Sequence, residues 1–598
     1  MTPPRIPRDP GPSGARLSAL AMSLAAAVTG FMLFFRFGAA DGLDAMDFVR
    51  AGLILLSTWW LAWGAAGGLL GLTSRARAPV RAMAEAPITS RTVILVPVYN
   101  EDPVATFARI AAMDASLQAT GQGKHFHFAI LSDTRKDEIA DQEAEWFLRL
   151  LAERRAAGRL FYRRREKNTG KKAGNIEEFI MRSGAAYDFA LILDADSLME
   201  GATIVEMVRR MQNEPDLGLL QSLPKVWNAA SVFGRAMQFS ASFYSPVFAR
   251  GLAMMQGRSG PFWGHNAMVR VRAFAEACGL PELRGQPPFG GHVLSHDYVE
   301  AALLARAGWR VRLDDDLEGS FEEGPENIID HAKRDRRWCQ GNLQHARLIF
   351  APGLLPWSRF VFFQNVFSYI APLFWLAFIG ASILAPLFAP PLDYFPEPNW
   401  PFPVFTGSEA SKAIGLAIGI FGLLLLPKLL VAADAALTGR ARAFGGGLRG
   451  FVSMLLEVTL SSITAPIFLM YQTRSVLQVL LGRDGGWPTN NRGDGRLSLA
   501  DAWANSRWIV MIGGAGLAAT WWLAPKLLLW LMPVALPMLA APLIISASSR
   551  RFVARLFSAP TEAALPPVIA LYQAQVQSWD ASLSARADPA PLSGPAHA

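Results

Sequence analysis

Long apolar runs at both ends of the chain flank a central stretch in which apolar and polar residues alternate in short blocks. A membrane-spanning helix needs roughly 20 consecutive apolar residues. The runs that meet this length predict six spans, two of them in the last run: Leu17–Phe35, Ala51–Leu72, Val361–Leu387, Ala413–Ala433 and Trp508–Ile545. A further run, Phe451–Met470, is long enough but has basic residues on both sides. The sequence therefore does not decide whether this run spans the membrane or forms an interfacial or re-entrant segment.

The central stretch has the pattern of an α/β domain. Continuous apolar blocks rich in β-branched residues are typical of buried parallel strands, and they occur at Thr92–Val98, His127–Ser132, Leu160–Arg163 and Phe189–Leu193. Helix-like segments separate these blocks, and this alternation predicts a mostly parallel sheet. We therefore predict an α-helical integral membrane protein with an α/β domain between its spans.

Composition agrees with a membrane protein. Hydrophobic residues make up 52% of the chain and charged residues 18%, where a soluble domain usually carries about 25% charged residues. Two cysteines, Cys278 and Cys339, are too few for a disulfide framework or a paired-cysteine zinc site. The net charge of +8 fits nucleic acid or an anionic membrane surface. In a membrane protein, however, basic residues mark the cytoplasmic side, and we predict no nucleic-acid partner.

The charges beside the first two spans predict the orientation. Basic residues lie before and after this pair of spans, at Arg5, Arg8, Arg16, Arg75, Arg77 and Arg81, whereas the loop between them carries Asp41, Asp44 and Asp47. By the positive-inside rule, the N-terminus and the central domain are cytoplasmic. A signal peptide cleaved near Ala39-Ala40 is the alternative, but the apolar run exceeds the 7–15 residues typical of a signal-peptide core.

These patterns divide the chain into five regions. They are a cytoplasmic N-terminal segment (1–16), two transmembrane helices (17–73), a cytoplasmic α/β domain (91–350), a C-terminal membrane region (357–546) with interfacial or loop segments over about 440–507, and a cytoplasmic tail (547–598) with a disordered end.

Polar and acidic residues follow three of the predicted strands. Tyr99-Asn100-Glu101-Asp102 follows the first strand, Asp133 the second, and Asp194-Ala195-Asp196 the last. Because ligands of such sheets bind outside the carboxyl ends of the strands, this edge is the candidate site. Two carboxylates at one turn suit Mg²⁺ or Mn²⁺, which would clamp a diphosphate. The alternative is that Asp194 and Asp196 are solvated turn residues.

Three later features are ambiguous when taken alone. Asp297 lies just before a helical stretch, where a carboxylate is either a helix cap or a general base. The basic cluster Lys333–Trp338 suits phosphate and sugar binding, or else an anionic lipid surface. The segment Gly170–Asn175 is a Gly/Lys loop that opens a helix, and it suits a phosphate although it is not a Walker A loop.

His265 and His296 have no convincing partner ligands, so zinc is not expected.

Together these motifs resemble the family 2 membrane glycosyltransferases of the cellulose-synthase type. The resemblance rests on VPVYNED, SD at 132–133, KKAGN, DAD, a later single Asp and a final Arg-Trp pair. SGPFWGHNAMVR (259–270), PFGGHVLSHDYVEAALLARAGW (288–309) and RDRRWCQGNLQHARL (334–348) are similar to the branch that makes osmoregulated periplasmic glucans.

This resemblance implies a GT-A fold and an inverting, processive enzyme of the bacterial inner membrane. The enzyme would use UDP-glucose with Mg²⁺ or Mn²⁺ to extend a β-1,2-glucan. The growing glucan and the lipid bilayer would be its partners, and the family also suggests an acyl carrier protein.

Site residues follow from the resemblance by position. Asp133 would hold the uridine, with Tyr99 and Glu101 lining the nucleotide pocket, and Lys172 would neighbour the diphosphate. Asp194 and Asp196 would form the metal-binding DxD site, with Asp196 the direct ligand. Asp297 would be the base, and Arg337 and Trp338 would end the QxxRW motif.

The chain departs from the family pattern at two places. Arg334 stands where the processive pattern has Gln, so a contact inferred from that Gln cannot be carried over. The FxVTxK gating loop is not found, and Gly485-Gly486-Trp487 is the candidate substitute.

Two alternatives remain open. A synthase of another polymer would differ in product linkage, which the donor pocket does not encode. A nucleotide-sensing transporter is disfavoured because the spans carry few charges, mainly Lys428, Glu457 and Lys526.

Overall fold

The computed structural model describes residues 13–38, 43–74, 87–389, 410–483, 495–552 and 555–587. Several positions used above lie outside these described residues: Arg5, Arg8, Ala39-Ala40, Asp41, Arg75, Arg77, Arg81, Gly485-Gly486-Trp487 and the end of the tail after Ala587.

Strands occupy the central part of the chain. They are β1 (Thr92–Val98), β2 (Phe126–Ser132), β3 (Leu160–Arg164), β4 (Phe189–Ile192), β5 (Leu198–Met199), β6 (Leu217–Ser222), β7 (Lys225–Trp227), β8 (Ala267–Arg270), β9 (Arg310–Asp314) and β10 (Ser320–Glu323).

Helices connect these strands and form the regions on both sides of them. They are α1 (Ser13–Gly38), α2 (Ala45–Thr73), α3 (Pro103–Ala119), α4 (Asp137–Glu153), α5 (Lys171–Ser183), α6 (Gly201–Asn213), α7 (Val232–Phe243), α8 (Ser245–Gln256), α9 (Val271–Ala277), α10 (His296–Arg306), α11 (Ile328–Gln344), α12 (Pro356–Leu384), α13 (Ala410–Leu437), α14 (Gly447–Leu480), α15 (Leu499–Leu523), α16 (Leu528–Leu539), α17 (Ala541–Ser548), α18 (Pro560–Ala563) and α19 (Pro567–Ala587).

The main sheet is mostly parallel, as the sequence predicts. Its strand order is β3-β2-β1-β4-β8-β6-β9, and β8 is antiparallel to both of its neighbours while the other pairs are parallel. Alternate residues of β1 enter the two cores on either face, which explains its unbroken apolar run. Helices α3, α4 and α6 supply the core on one face, and α5, α9 and α10 supply it on the other.

Strand order determines where the candidate site lies. Strands β2, β1 and β4 are parallel neighbours, so the residues that follow them meet at one edge of the sheet. A small second sheet, in the order β5-β10-β7, lies beyond this edge and contributes the acidic end of β10.

Within the part of the chain that the structure describes, five helices are long and apolar enough to cross a membrane: α1, α2, α12 with its short continuation to Leu387, α13 and α14. A sixth candidate is the pair 525–539 and 541–548, which is bent by 57°. Helix α15 is not among them, so the two spans predicted within 508–545 correspond at most to this bent pair. Helix α14 contains the undecided run Phe451–Met470 as one continuous helix, and it is one of these candidate spans.

Helix α19 lies in the region assigned to the tail and extends to Ala587. Its residues Val568, Ile569 and Trp579 are part of the core of the central domain. Residues 553–554 and 588–598 of this region lie outside the described residues.

An ion pair joins two of the candidate spans. Lys428 on α13 donates to both carboxylate oxygens of Glu457 on α14, at 3.0 and 2.8 Å, and the Tyr244 hydroxyl donates to the same carboxylate at 3.3 Å. Ionisable side chains on membrane-spanning helices are energetically costly unless they are paired. The pair therefore fixes α13 against α14 and against the helix pair α7–α8.

Replacing Lys428 with Met is expected to destabilise the protein by about 2 kcal/mol, because it leaves a buried carboxylate unpaired. The double variant Lys428→Met/Glu457→Leu is expected to recover most of that loss. Thermal unfolding in detergent measures both, with the exposed Lys526→Met as the control. Equal destabilisation in the single and double variants would contradict the coupling.

Candidate active site

The turn after β4 presents the two aspartates predicted to hold a metal. The Asp194 amide donates to the Ser197 hydroxyl at 3.0 Å, and the Ser197 amide donates to the Asp194 carbonyl at 3.1 Å. These bonds close the turn, so that Asp194 and Asp196 lie half-buried on either side of the buried Ala195. The carboxylates are thus held at the carboxyl edge of the sheet.

Lys172 connects this turn to a distant loop. Its ammonium donates to the Asp194 carboxylate and, at 2.7 Å, to the carbonyl oxygen of Gly264. Gly264 has φ +82°, and a Cβ there would lie 3.5 Å from the Cβ of Asp297 and 3.7 Å from its Oδ2. Lys172 therefore links Asp194 to Gly264 by hydrogen bonds, and Asp297 lies beside Gly264.

The start of α5 explains how Lys172 reaches this position. Gly170 and Lys171 both have left-handed backbone conformations, with φ 69° and 54°. Gly174 lies one turn later, and a side chain there would collide with the Thr169 carbonyl oxygen. The glycines of the Gly/Lys loop thus allow a tight entry into the helix.

The charge balance keeps Asp194 ionised. Burial of the carboxylate favours its protonated form, but the positive charges of Lys172, His265 and Arg334 outweigh this effect. Together they hold the pKa of Asp194 well below its usual range. An ionised carboxylate is the form that binds a metal.

Asp297 lies half-buried in the first turn of α10. Its pKa is raised mainly by burial, with Glu300 adding to the shift, while His296, the Tyr298 amide and Lys172 oppose it. Ser295, the N-cap residue just before α10, makes no side-chain capping bond. A carboxylate with a raised pKa has the character of a general base.

The raised pKa predicts the acid limb of the pH–rate profile. A base works only when deprotonated, so activity should fall as the pH drops through the pKa of Asp297. Because burial raises that pKa, the fall should be centred above the value of about 4 for an ordinary aspartate. Measurement of kcat/KM against pH checks this, and a limb at or below the ordinary value would contradict it.

Helix α11 brings the Arg-Trp pair to the same site. Burial and the nearby Arg334 lower the pKa of Arg337, whereas the carboxylates of Asp194, Glu101 and Asp196 act in the opposite direction. Arg337 thus shares one electrostatic environment with these three predicted residues. Trp338 is 42% exposed, and the Arg334 guanidinium lies 4.5 Å from the centroid of its ring.

Asp133 and Tyr99 lie at the ends of the neighbouring strands β2 and β1. Both carboxylate oxygens of Asp133 accept from Arg165, at 2.7 and 2.8 Å. Arg165 also donates to the carbonyls of Thr169 and Lys171, at 3.2 and 3.1 Å. Asp133 is therefore anchored to the loop that precedes Lys172, beside a cavity of about 740 Å³ lined by residues 133–135 and 164–169.

Comparison with known proteins identifies the family. The model "Glycosyl transferase family 2" matches residues 93–277, and "Glycosyl transferase family group 2" matches residues 189–426. Glucans biosynthesis glucosyltransferase H of Cereibacter sphaeroides is 66% identical over 96% of this chain and 97% of its own length. The chain belongs to the glucans biosynthesis glucosyltransferase H family.

Other members of the glucosyltransferase H family are more distant. The Vibrio cholerae protein is 40% identical over 89% of this chain and 75% of its own length. Among solved structures, the mannosyltransferase of Pyrobaculum calidifontis in complex with GDP-mannose and Mn²⁺ is 14% identical, with a TM-score of 0.44, over 73% of this chain and all of that one. Family membership confirms the predicted glycosyltransferase activity and, with the sheet, the GT-A fold class.

In this glucosyltransferase H homologue, the donor set fits a metal bound jointly with substrate. No group of three or more His, Cys, Asp or Glu side chains among the described residues could hold a metal ion. Asp194 and Asp196 are hard oxygen donors on one turn. Mg²⁺ is commonly bound by one or two carboxylates together with substrate phosphates, so two carboxylates suffice.

Sequence reasoning missed the residues that organise this glucosyltransferase H site. Gly264 and Arg165 act through contacts that no local spacing reveals, although GHN at 264–266 was part of the recognised motif. The two histidines also gain partners, since His265 lies 3.5 Å from Glu322 and His296 lies 3.0 Å from Glu300. Both histidines thus have a carboxylate neighbour close to the site.

Proposed function

We propose that this protein is an inverting, processive glucosyltransferase that uses UDP-glucose to build the linear β-1,2-glucan backbone of osmoregulated periplasmic glucans. The observation that carries the proposal is the position of Lys172, which donates to Asp194 and to the carbonyl of Gly264, the residue beside Asp297. The carboxylates that would bind the donor thus lie near a separate, half-buried carboxylate with a raised pKa. One group suits the leaving diphosphate and the other suits the acceptor hydroxyl.

The donor would bind at the carboxyl edge of the sheet. Asp133 would contact the uridine, Tyr99 and Glu101 would line its pocket, and Lys172 and Arg337 would contact the diphosphate. Asp194 and Asp196 would hold Mg²⁺ or Mn²⁺, which when bound neutralises charge on the leaving group. The low pKa of Asp194 supports this assignment, because it keeps the carboxylate ionised at neutral pH.

Asp297 would act on the acceptor. Its carboxylate accepts the proton of a glucan hydroxyl, and that oxygen attacks the anomeric carbon as the bond to the UDP oxygen breaks. UDP leaves with the bonding electrons, and the new bond forms on the opposite face. A single displacement of this kind turns an α-linked donor into a β-linked product. Trp338 offers an exposed ring on which a sugar can stack.

The membrane arrangement extends this proposal. The candidate spans and the basic residues near them support a bacterial inner-membrane protein with its catalytic domain on the cytoplasmic side, where UDP-glucose is made. Helix α11, which carries Arg337 and Trp338, packs on α12 and α14. The growing glucan would therefore leave the site next to the bilayer. An acyl carrier protein partner stays a prediction.

The test is incorporation of radiolabelled glucose from UDP-glucose by the purified full-length protein with Mg²⁺, followed by linkage analysis. We expect a β-1,2 polymer and release of one UDP per glucose added. A β-1,4 polymer would contradict the assigned product while preserving the enzyme class. Binding of UDP without any release from UDP-glucose would favour a nucleotide sensor instead.

A further inference from the structure

Helix α19 at the C-terminus is built into the central domain. It packs on α3, and three of its side chains, Val568, Ile569 and Trp579, are fully buried. The Trp579 ring lies 4.5 Å from that of Trp146, and its indole N–H donates to Glu153 at 2.9 Å. Because α19 follows the membrane region in the chain, the end of the protein returns to complete a domain that begins near residue 90.

One residue of α19 contacts a buried arginine behind the DAD turn. The guanidinium of Arg109, on α3, lies 5.1 Å from the centroid of the Tyr572 ring. Arg109 is 2% exposed, and it donates to the carbonyl oxygen of Ala195 at 3.3 Å. Ala195 is the residue between Asp194 and Asp196, so Arg109 braces the backbone of the turn that carries both carboxylates.

Arg109 also reaches a second part of the site. It donates to Glu323 at 2.9 Å, at the end of β10. The preceding residue, Glu322, lies 3.5 Å from His265 and 4.0 Å from Arg334. Both contacts of the guanidinium therefore end next to residues that surround Asp194.

The Tyr572 ring is one of the groups that contact the Arg109 guanidinium. The Arg109 Nε makes no hydrogen bond among the described residues, so the guanidinium has two hydrogen-bonded partners and one ring face. Cation–π contacts strengthen when the cation is removed from water. Loss of the ring would give Arg109 room to move and would weaken its bond to the Ala195 carbonyl.

We propose that Arg109 is a positioning residue for the Asp194–Asp196 turn, and that the C-terminal helix completes this support through Tyr572. The proposal rests on the proposed function of that turn in binding metal and donor. It makes donor binding depend on a helix that contacts no donor. It also assigns the end of the chain a role in the catalytic domain.

The test compares four variants of the full-length protein in detergent: Tyr572→Leu, Tyr572→Phe, Arg109→Lys and Leu571→Ala. The first readout is amide hydrogen exchange in the peptide that covers residues 189–199, without ligand. The second is the Kd for UDP with Mn²⁺. We expect Tyr572→Leu and Arg109→Lys to speed exchange in the turn and to weaken UDP binding about fivefold to tenfold. Tyr572→Phe keeps the ring, and Leu571 is 40% exposed on the same helix, so both should behave as wild type.

Unchanged exchange in the turn of Tyr572→Leu, with Trp579 still protected from solvent quenching, would overturn the proposal. If Arg109→Lys fails to fold, Tyr572→Leu decides alone. If the wild type binds no UDP with Mn²⁺, the proposed function fails, but the exchange data still decide whether Tyr572 supports the turn. Faster exchange throughout the domain would show general destabilisation and would also contradict a positioning role.

Discussion

Replacing Asp297 with Asn is expected to reduce glucosyl transfer by about a thousandfold and to leave UDP binding unchanged. The amide has nearly the same shape but cannot accept the proton of the acceptor hydroxyl, and general-base catalysis typically contributes 10²- to 10⁴-fold. UDP binding should persist because Lys172 and Gly264 separate Asp297 from the donor-side carboxylate of Asp194. UDP release from UDP-glucose measures the first effect, and calorimetric UDP binding measures the second.

Glu276→Gln is the matched control for Asp297→Asn. It makes the same acid-to-amide change at an exposed position on α9, where the carboxylate pairs with Arg272 one turn earlier. Its turnover should equal that of the wild type. Turnover of Asp297→Asn within a few-fold of the wild type would show that Asp297 is not the base.

The sequence predicts the sheet well because its signals are local. The first strand begins and ends at the predicted residues, and the other three predicted strands differ by one residue at one end. Each is a short apolar block followed by a polar turn, and buried parallel strands require that pattern. The position of Asp194 at a strand end follows from the same local signal.

The contacts that organise the site could not be predicted in this way. Arg165 reaches Asp133 across 32 positions, and Lys172 reaches the Gly264 carbonyl across 92. Such pairings depend on strand order, which periodicity does not determine. The role of α19 had a visible signal, since Val568, Tyr572, Val576 and Trp579 repeat at helical spacing. The sequence analysis did not use this helical pattern, because the residues that follow it are rich in Pro and Ala and indicate disorder.

Replacing Asp196 or Asp194 with Asn is expected to lower activity at fixed Mg²⁺ by about a hundredfold, through weaker binding of the metal and the donor diphosphate. Charge stabilisation by a bound metal contributes several kcal/mol to such a step. Each amide would remove one of the two proposed carboxylate ligands. Titration of activity and of UDP binding with Mn²⁺ should show half-saturation at a higher metal concentration in both variants.

The two aspartates should nevertheless differ, because Asp194 also pairs with Lys172. In Asp194→Asn the Lys172 ammonium keeps only the Gly264 carbonyl of these two partners, so its charge is less well balanced. Adding Lys172→Gln should then cost less activity in the Asp194→Asn background than in the wild type. Equal costs in both backgrounds would mean that the pair is not coupled during catalysis. Unchanged metal dependence in Asp196→Asn and Asp194→Asn would contradict the metal site itself, whatever the coupling.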